Sequence, residues 1–218
     1  MSLFLHNIFY IIYLNFKFLP FKQACRLPID VYGKLRLVGK SGKLNIIGDI
    51  RPGMIKLGSQ GRDMFPLDPV ILDIRGELTF NGFFYIGCGS TIRVEDNAKM
   101  SIGADSRFGA QTILFCEERI NIGAQVEGSW RCQLMDTDRH EIIDRKNNTV
   151  LQSCKPIEIG DNVWIGNNVL INKGTRIPDN IIIASKSLCN KDYSNVPAFS
   201  VLAGMPAKVV ASDKQRIW

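Results

Sequence analysis

Residues 159–189 read IGDNVWIGNNVLINKGTRIPDNIIIASKSLC, with isoleucine at 159, 165, 171, 177 and 183. Five identical residues at an unbroken spacing of six fit neither the period of an amphipathic helix nor the alternation of one half-buried strand. Small or polar residues follow each isoleucine, which describes short strands joined by tight corners and wound as a solenoid. Among repeat architectures, a hexapeptide period indicates a parallel β-helix. The isoleucine points into the prism. Gly160 or Gly166 lets the backbone turn where a Cβ would crowd.

This stretch resembles the hexapeptide-repeat acyltransferases, which fold as left-handed β-helices. The hand is an exception to the right-handed crossover rule; the resemblance implies it and the spacing does not. The expected fold is therefore all-β, a left-handed parallel β-helix over residues 31–210. An apolar N-terminal cap or interface segment at 1–30, a projecting loop at 136–156 and a tail at 211–218 complete it.

A length of 218 residues admits one domain, or one with small additions. A hydrophobic content of 45% beside 22% charged residues leaves ample material for a core. The net charge of +6 suits an anionic ligand or a membrane surface, and equally a mildly basic solvated one, because Lys and Arg are scattered. No basic run and no aromatic-basic alternation points to nucleic acid. Cys25, Cys88, Cys116, Cys132, Cys154 and Cys189 show no metal-type spacing, and no secretory signal supplies an oxidising compartment. They read as reduced, mostly buried thiols of a cytoplasmic protein, and no metal is expected.

The leader, MSLFLHNIFYIIYLNFKFLPF at 1–21, is interrupted by His6, Asn7, Asn15 and Lys17, so it falls short of a spanning helix. Two readings stand. It covers the open end of the solenoid or packs between subunits, or it lies in a membrane interface at the inner face of the membrane, with Lys17, Lys22 and Arg26 behind it. Upstream of the strict repeats the period recurs in shifted phases. Leu72, Leu78 and Phe84 form one run; Ile86 and Ile92 follow after a slip of two; Ile102, Phe108, Leu114 and Ile120 form the next; Ile122 and Leu134 the last. A slip of two keeps side chains on the same strand face, so a coil tolerates it as a lengthened side. Residues 31–78 are degenerate, with a loop around Gly58–Pro69. Pro197 and Pro206 are expected to end the winding.

The rhythm stops between Leu134 and Ile157, where MDTDRHEIIDRKNNTVLQSCKP is too long for a corner and too polar for the core. Loops on rigid scaffolds are where chemistry tends to sit. MDTDRHEI resembles the Asp-x-Asp-x-His segment of the family's sugar O-acetyltransferases, which implies His140 as the catalytic base. The chemistry agrees. Transfer from a thioester to a hydroxyl needs the alcohol proton removed as attack proceeds, and imidazole is suited to that near neutral pH. Asp136, Asp138 and Glu141 are candidates for orienting it; Asp136, Asp138, Arg139 and Gln111 are candidates for holding the acceptor. Backbone N–H groups at exposed corners would serve the oxyanion. A covalent route through Cys132 or Cys154 is the minor alternative.

The resemblance also implies acetyl-CoA as the donor. SVLAGMPAKVV matches the family's closing signature, placing Ala203, Gly204, Pro206 and Lys208 on coenzyme A, with Lys208 near a phosphate. NKDYSNVP supplies Lys191 as a second cation. Trp164 and Gly166 in DNVWIG, with Ala184, Ser185 and Lys186 in IIASKSL, would line the pantetheine path; Ser185 stands where the family carries a glycine. Such enzymes are usually homotrimers with sites between subunits. The leading expectation is an acetyl-CoA-dependent O-acetyltransferase acting on a sugar hydroxyl in surface polysaccharide biosynthesis. Serine or amino-sugar acylation and a non-catalytic scaffold are the alternatives. The zinc lyases of this fold bind metal through three histidines, and this chain has two in all.

Overall fold

A computed structural model describes residues 6–59 and 64–217. Residues 1–5 of the leader, 60–63 of the Gly58–Pro69 loop and 218 of the tail lie outside the described residues. Three parallel sheets form the sides of a triangular prism, a left-handed parallel β-helix. The first side has nine strands, from Ile29–Val31 to Ala207–Ala211, the last of them antiparallel; the second has seven, from Leu35–Leu37 to Leu188–Cys189. The third has six, from Lys43–Ile46 to Arg176–Ile177.

Coil length explains the phases in the sequence. In the strict segment Trp164 lies beside Ile182 and Leu170 beside Leu188, eighteen residues on, or three hexads. Upstream, Arg107 pairs with Glu127 and Thr91 with Ile113, so those coils hold two or four residues more. The even excess keeps the same side chains inward, and Leu72, Phe84, Ile92, Ile102, Leu114, Ile122 and Leu134 are all buried. Each contributes about 1.5–3 kcal/mol by leaving water.

One inward position is empty of a side chain for a packing reason. Gly128 falls midway between Ile122 and Leu134, and a Cβ there would meet Phe108 Cδ1 at 2.2 Å. The buried Phe108 ring of the preceding coil fills that space.

The corners need left-handed backbone. Asn162, Asn168 and Asn180 have φ of 56°, 57° and 59°, the conformation asparagine tolerates best among side-chain-bearing residues. Their recurrence in GDN, GNN and PDN marks corners as the isoleucines mark sides.

The N-terminal end is closed by the helix Ile8–Phe18, packed across the outermost strands Ile29–Val31 and Lys43–Ile46. Asn15, which interrupts the apolar run, is fully buried and does the joining. Its amide donates to Ile29 O at 2.8 Å and Ile11 O at 2.7 Å, and accepts from Ile29 N at 3.0 Å. An edge strand is thereby satisfied. At the other end the structure corrects one expectation. Val201–Gly204 still pairs in parallel with Ile182–Ile183, so Pro197 does not end the winding. It ends after Gly204, where a turn with a cis Met205–Pro206 bond returns Ala207–Ala211 antiparallel along Val201–Gly204.

Candidate active site

The loop after Gln133–Met135 leaves the edge between the second and third sides. It is a β-hairpin, with Ile142–Asp144 antiparallel to Thr149–Leu151 and Thr137 bridged to Cys154 at its neck. Buried Asp136 fixes where it starts. One carboxylate oxygen accepts from Glu117 N at 2.7 Å, the other from Glu118 N at 2.9 Å and Arg119 N at 2.7 Å. Both oxygens are committed to the coil below, so Asp136 holds the loop and does not orient His140 or receive an acceptor.

Asp138 is engaged as well. Its carboxylate meets Lys173 Nζ at 2.5 Å, and the same ammonium donates to Gln152 O at 2.6 Å, tying both arms of the hairpin to the next coil. Arg139 adopts φ 61°, stabilised by Thr137 Oγ1 accepting from its N–H at 2.8 Å. Its guanidinium stands 5.1 Å from the Phe115 ring centroid. His140 follows, exposed and without a hydrogen bond among the described residues. The second histidine, His6, is occupied: Nδ1 lies 2.8 Å from Asp30 Oδ1, and its ring is 4.5 Å from that of Tyr32.

The donor-side candidates sit elsewhere on the prism. Trp164 is half-buried on the first side, and Ala203, Gly204, Pro206 and Lys208 lie on or beside the same sheet. Ala184, Ser185 and Lys186 form the corner between the first and second sides, and Gln111 belongs to that corner too, its Oε1 accepting from Arg131 Nε at 2.8 Å. Gln111 is therefore separated from the His140 loop of its own protomer by the whole second side. Lys191 moves the other way. It lies on the loop's own edge, its carbonyl accepting from Arg176 N at 3.4 Å and its ammonium 5.2 Å from the Tyr193 ring centroid. Gly166 is required by packing, since a Cβ would meet Ser185 N at 2.6 Å. Ser185 points its hydroxyl to Asn167 Oδ1 at 2.6 Å.

Sequence reading missed four residues. Arg216 stands 5.1 Å over Trp164 and meets Glu127 Oε1 at 2.9 Å; Glu127 also pairs with Arg107. Lys173 and Phe115 hold the loop. None repeats at a spacing that would reveal it. Only Phe115 had a signal, an aromatic beside an inward hexad position. Burial pushes the Cys132 thiol up to about 12, which disfavours it as a nucleophile, and the half-buried Cys154 sits at the hairpin neck with Glu117 Oε2 3.7 Å from its sulfur. Among the described residues no cluster of three His, Cys, Asp or Glu is arranged to hold a metal ion.

The chain is similar to YJL218W of Saccharomyces cerevisiae, which carries the name of an acetyltransferase. They are 31% identical over 147 residues, covering 65% of this chain and 68% of that protein. The chain belongs to the hexapeptide-repeat acyltransferases. It is 42% identical over 77 residues to the galactoside O-acetyltransferase of Escherichia coli K12, a match spanning 34% of that enzyme's length and 35% of this chain. Among solved structures it resembles the polySia-specific acetyltransferase NeuO, with a TM-score of 0.53, 24% identity and coverage of 86% of this chain and 84% of that one. That likeness bears on the fold. No family model matches the sequence.

Proposed function

We propose that this protein transfers an acetyl group from acetyl-CoA to a saccharide hydroxyl, with His140 as general base. The carrying observation is the exposed, unpartnered imidazole of His140 on a hairpin anchored at both arms by Asp136 and Lys173. Family membership supports acyl transfer, and the relative named galactoside O-acetyltransferase supports a sugar acceptor. The imidazole takes the hydroxyl proton as the oxygen attacks the thioester carbonyl. The tetrahedral intermediate collapses with loss of the C–S bond, and the imidazolium returns the proton to the departing thiolate. Products are an O-acetyl sugar and coenzyme A.

Apart from Lys191, the donor-side residues lie away from the prism edge that carries His140. That separation favours a site shared between subunits, and the proposed enzyme is a homotrimer in which the hairpin of one protomer faces the Trp164 side of the next. Its proposed place is surface polysaccharide biosynthesis in the cytoplasm. Thiol release from acetyl-CoA, measured with a panel of sugars and amino sugars, tests the reading against His140→Ala. Transfer persisting at the wild-type rate in the variant would remove His140 from the mechanism, and acceptance of amines alone would replace O- by N-acetylation.

A further inference from the structure

The cap helix Ile8–Phe18 has two apolar faces, and closing the prism uses one. Leu14 is fully buried on the core, with Tyr10, Ile11 and Phe18 packed beside it. The opposite stripe faces water: Ile8, Phe9, Ile12 and Phe16 are 58, 70, 50 and 49% exposed, and Phe21 just beyond is 74% exposed. Large apolar side chains gathered at one end of a protein mark an interaction site.

Charge identifies the partner. No Asp or Glu occurs before Asp30, while Lys17, Lys22 and Arg26 lie within the same segment. Lys17 and Lys22 carry no ion pair among the described residues, and Arg26 reaches only a carbonyl, Ile50 O at 3.3 Å. Exposed aromatic and aliphatic groups beside unneutralised cations match an anionic bilayer surface, where rings seat at headgroup depth and ammonium groups meet lipid phosphates. No described helix is long and apolar enough to cross a membrane, so such contact lies in the plane of the interface.

We infer that the outer face of this cap is a docking surface for anionic lipid headgroups. The prism then meets the membrane end-on, and in a trimer with parallel axes three caps share one plane and bind together. The surface is independent of the chemistry at His140.

Vesicle co-sedimentation tests it with the full-length protein. Wild type should pellet with phosphatidylglycerol-containing vesicles and remain in the supernatant with phosphatidylcholine alone. The variant Phe9→Ser/Ile12→Gln/Phe21→Ser should lose at least about tenfold in partition coefficient, since it removes much of the inserted apolar area. Lys17→Gln/Lys22→Gln/Arg26→Gln should lose the preference for anionic lipid. Circular dichroism and acetyl transfer to a soluble acceptor establish that the variants are folded. Wild type left in the supernatant with anionic vesicles overturns the inference, as does a folded apolar variant that pellets normally. A change in oligomeric mass of that variant without wild-type vesicle binding would assign the stripe to a second copy instead.

Discussion

The guanidinium of Arg216 stands 5.1 Å over the Trp164 ring and meets Glu127 Oε1 at 2.9 Å, so the C-terminal tail covers the ring proposed to flank the donor's thioester arm. On the proposed donor path, coenzyme A would displace this contact. A cation over an indole face is worth about 0.5–1 kcal/mol at a partly exposed site. Arg216→Ala should therefore lower the KM for acetyl-CoA by about two- to fivefold, with kcat little changed. Steady-state kinetics at fixed acceptor reads this directly; a raised KM would make Arg216 a donor ligand.

Asp136 and His140 are four residues apart and should fail in opposite ways. His140→Ala removes an exposed side chain with no hydrogen bond, so the melting temperature should hold while kcat falls by about 10²–10⁴. Asp136→Ala strips the acceptor from three backbone N–H groups at 117–119, a loss on the order of 3 kcal/mol. Denaturant melts beside activity assays would separate the two.

Lys173 links Asp138 to Gln152 and should act on the loop alone. Lys173→Met should raise amide hydrogen exchange across residues 142–151 and lower kcat, with the coils' protection unchanged. Uniformly faster exchange would instead make Lys173 part of the global fold.

Gly128→Ala places a Cβ against Phe108 and should destabilise by about 1–3 kcal/mol. Phe108→Leu in the same chain should recover part of that loss, because it vacates the space the new methyl needs. A double-mutant cycle measures the coupling.

Stability should fall in alkali. Burial pushes the Cys132 and Cys189 thiols up to about 12 from an ordinary value of 9.0, against weaker opposing hydrogen bonding. Burial, then the neighbouring Cys189, pushes Tyr193 up to about 12 from 10.0. Below pH 9 these groups are protonated in both folded and unfolded chains and the stability is intact. Between pH 9 and 12 for the two thiols, and between pH 10 and 12 for Tyr193, the unfolded chain releases protons that the folded chain retains, so each group removes up to about 1.4 kcal/mol per pH unit there. Equilibrium melts from pH 8 to 11 should show this fall, reduced in Cys189→Ala.

Much of the prism was legible because its code is local. An inward side chain every six residues is a property of strand and corner geometry, and the isoleucines from 159 to 183 display it without help from distant residues. Slips of two were readable too, since they leave the face unchanged. Gly128 was not, because the ring filling its place comes from Phe108, a coil away.

The site was legible by type and not by place. His140 stood out as the one histidine in a break of the rhythm, and Asn15 stood out as polar among apolar neighbours. That Asp136 grips residues 117–119, that Lys191 shares the loop's edge, and that Gln111 lies across the prism depend on how many residues each coil takes around its corners. Contacts with Arg216, Phe115 and Lys173 likewise cross coils or tails. Local periodicity specifies the hexad solenoid, its inward residues, the projecting loop and its histidine. The tertiary structure alone decided which edge each polar group occupies, because hydrogen bonds and ion pairs between coils join residues whose separation follows no period.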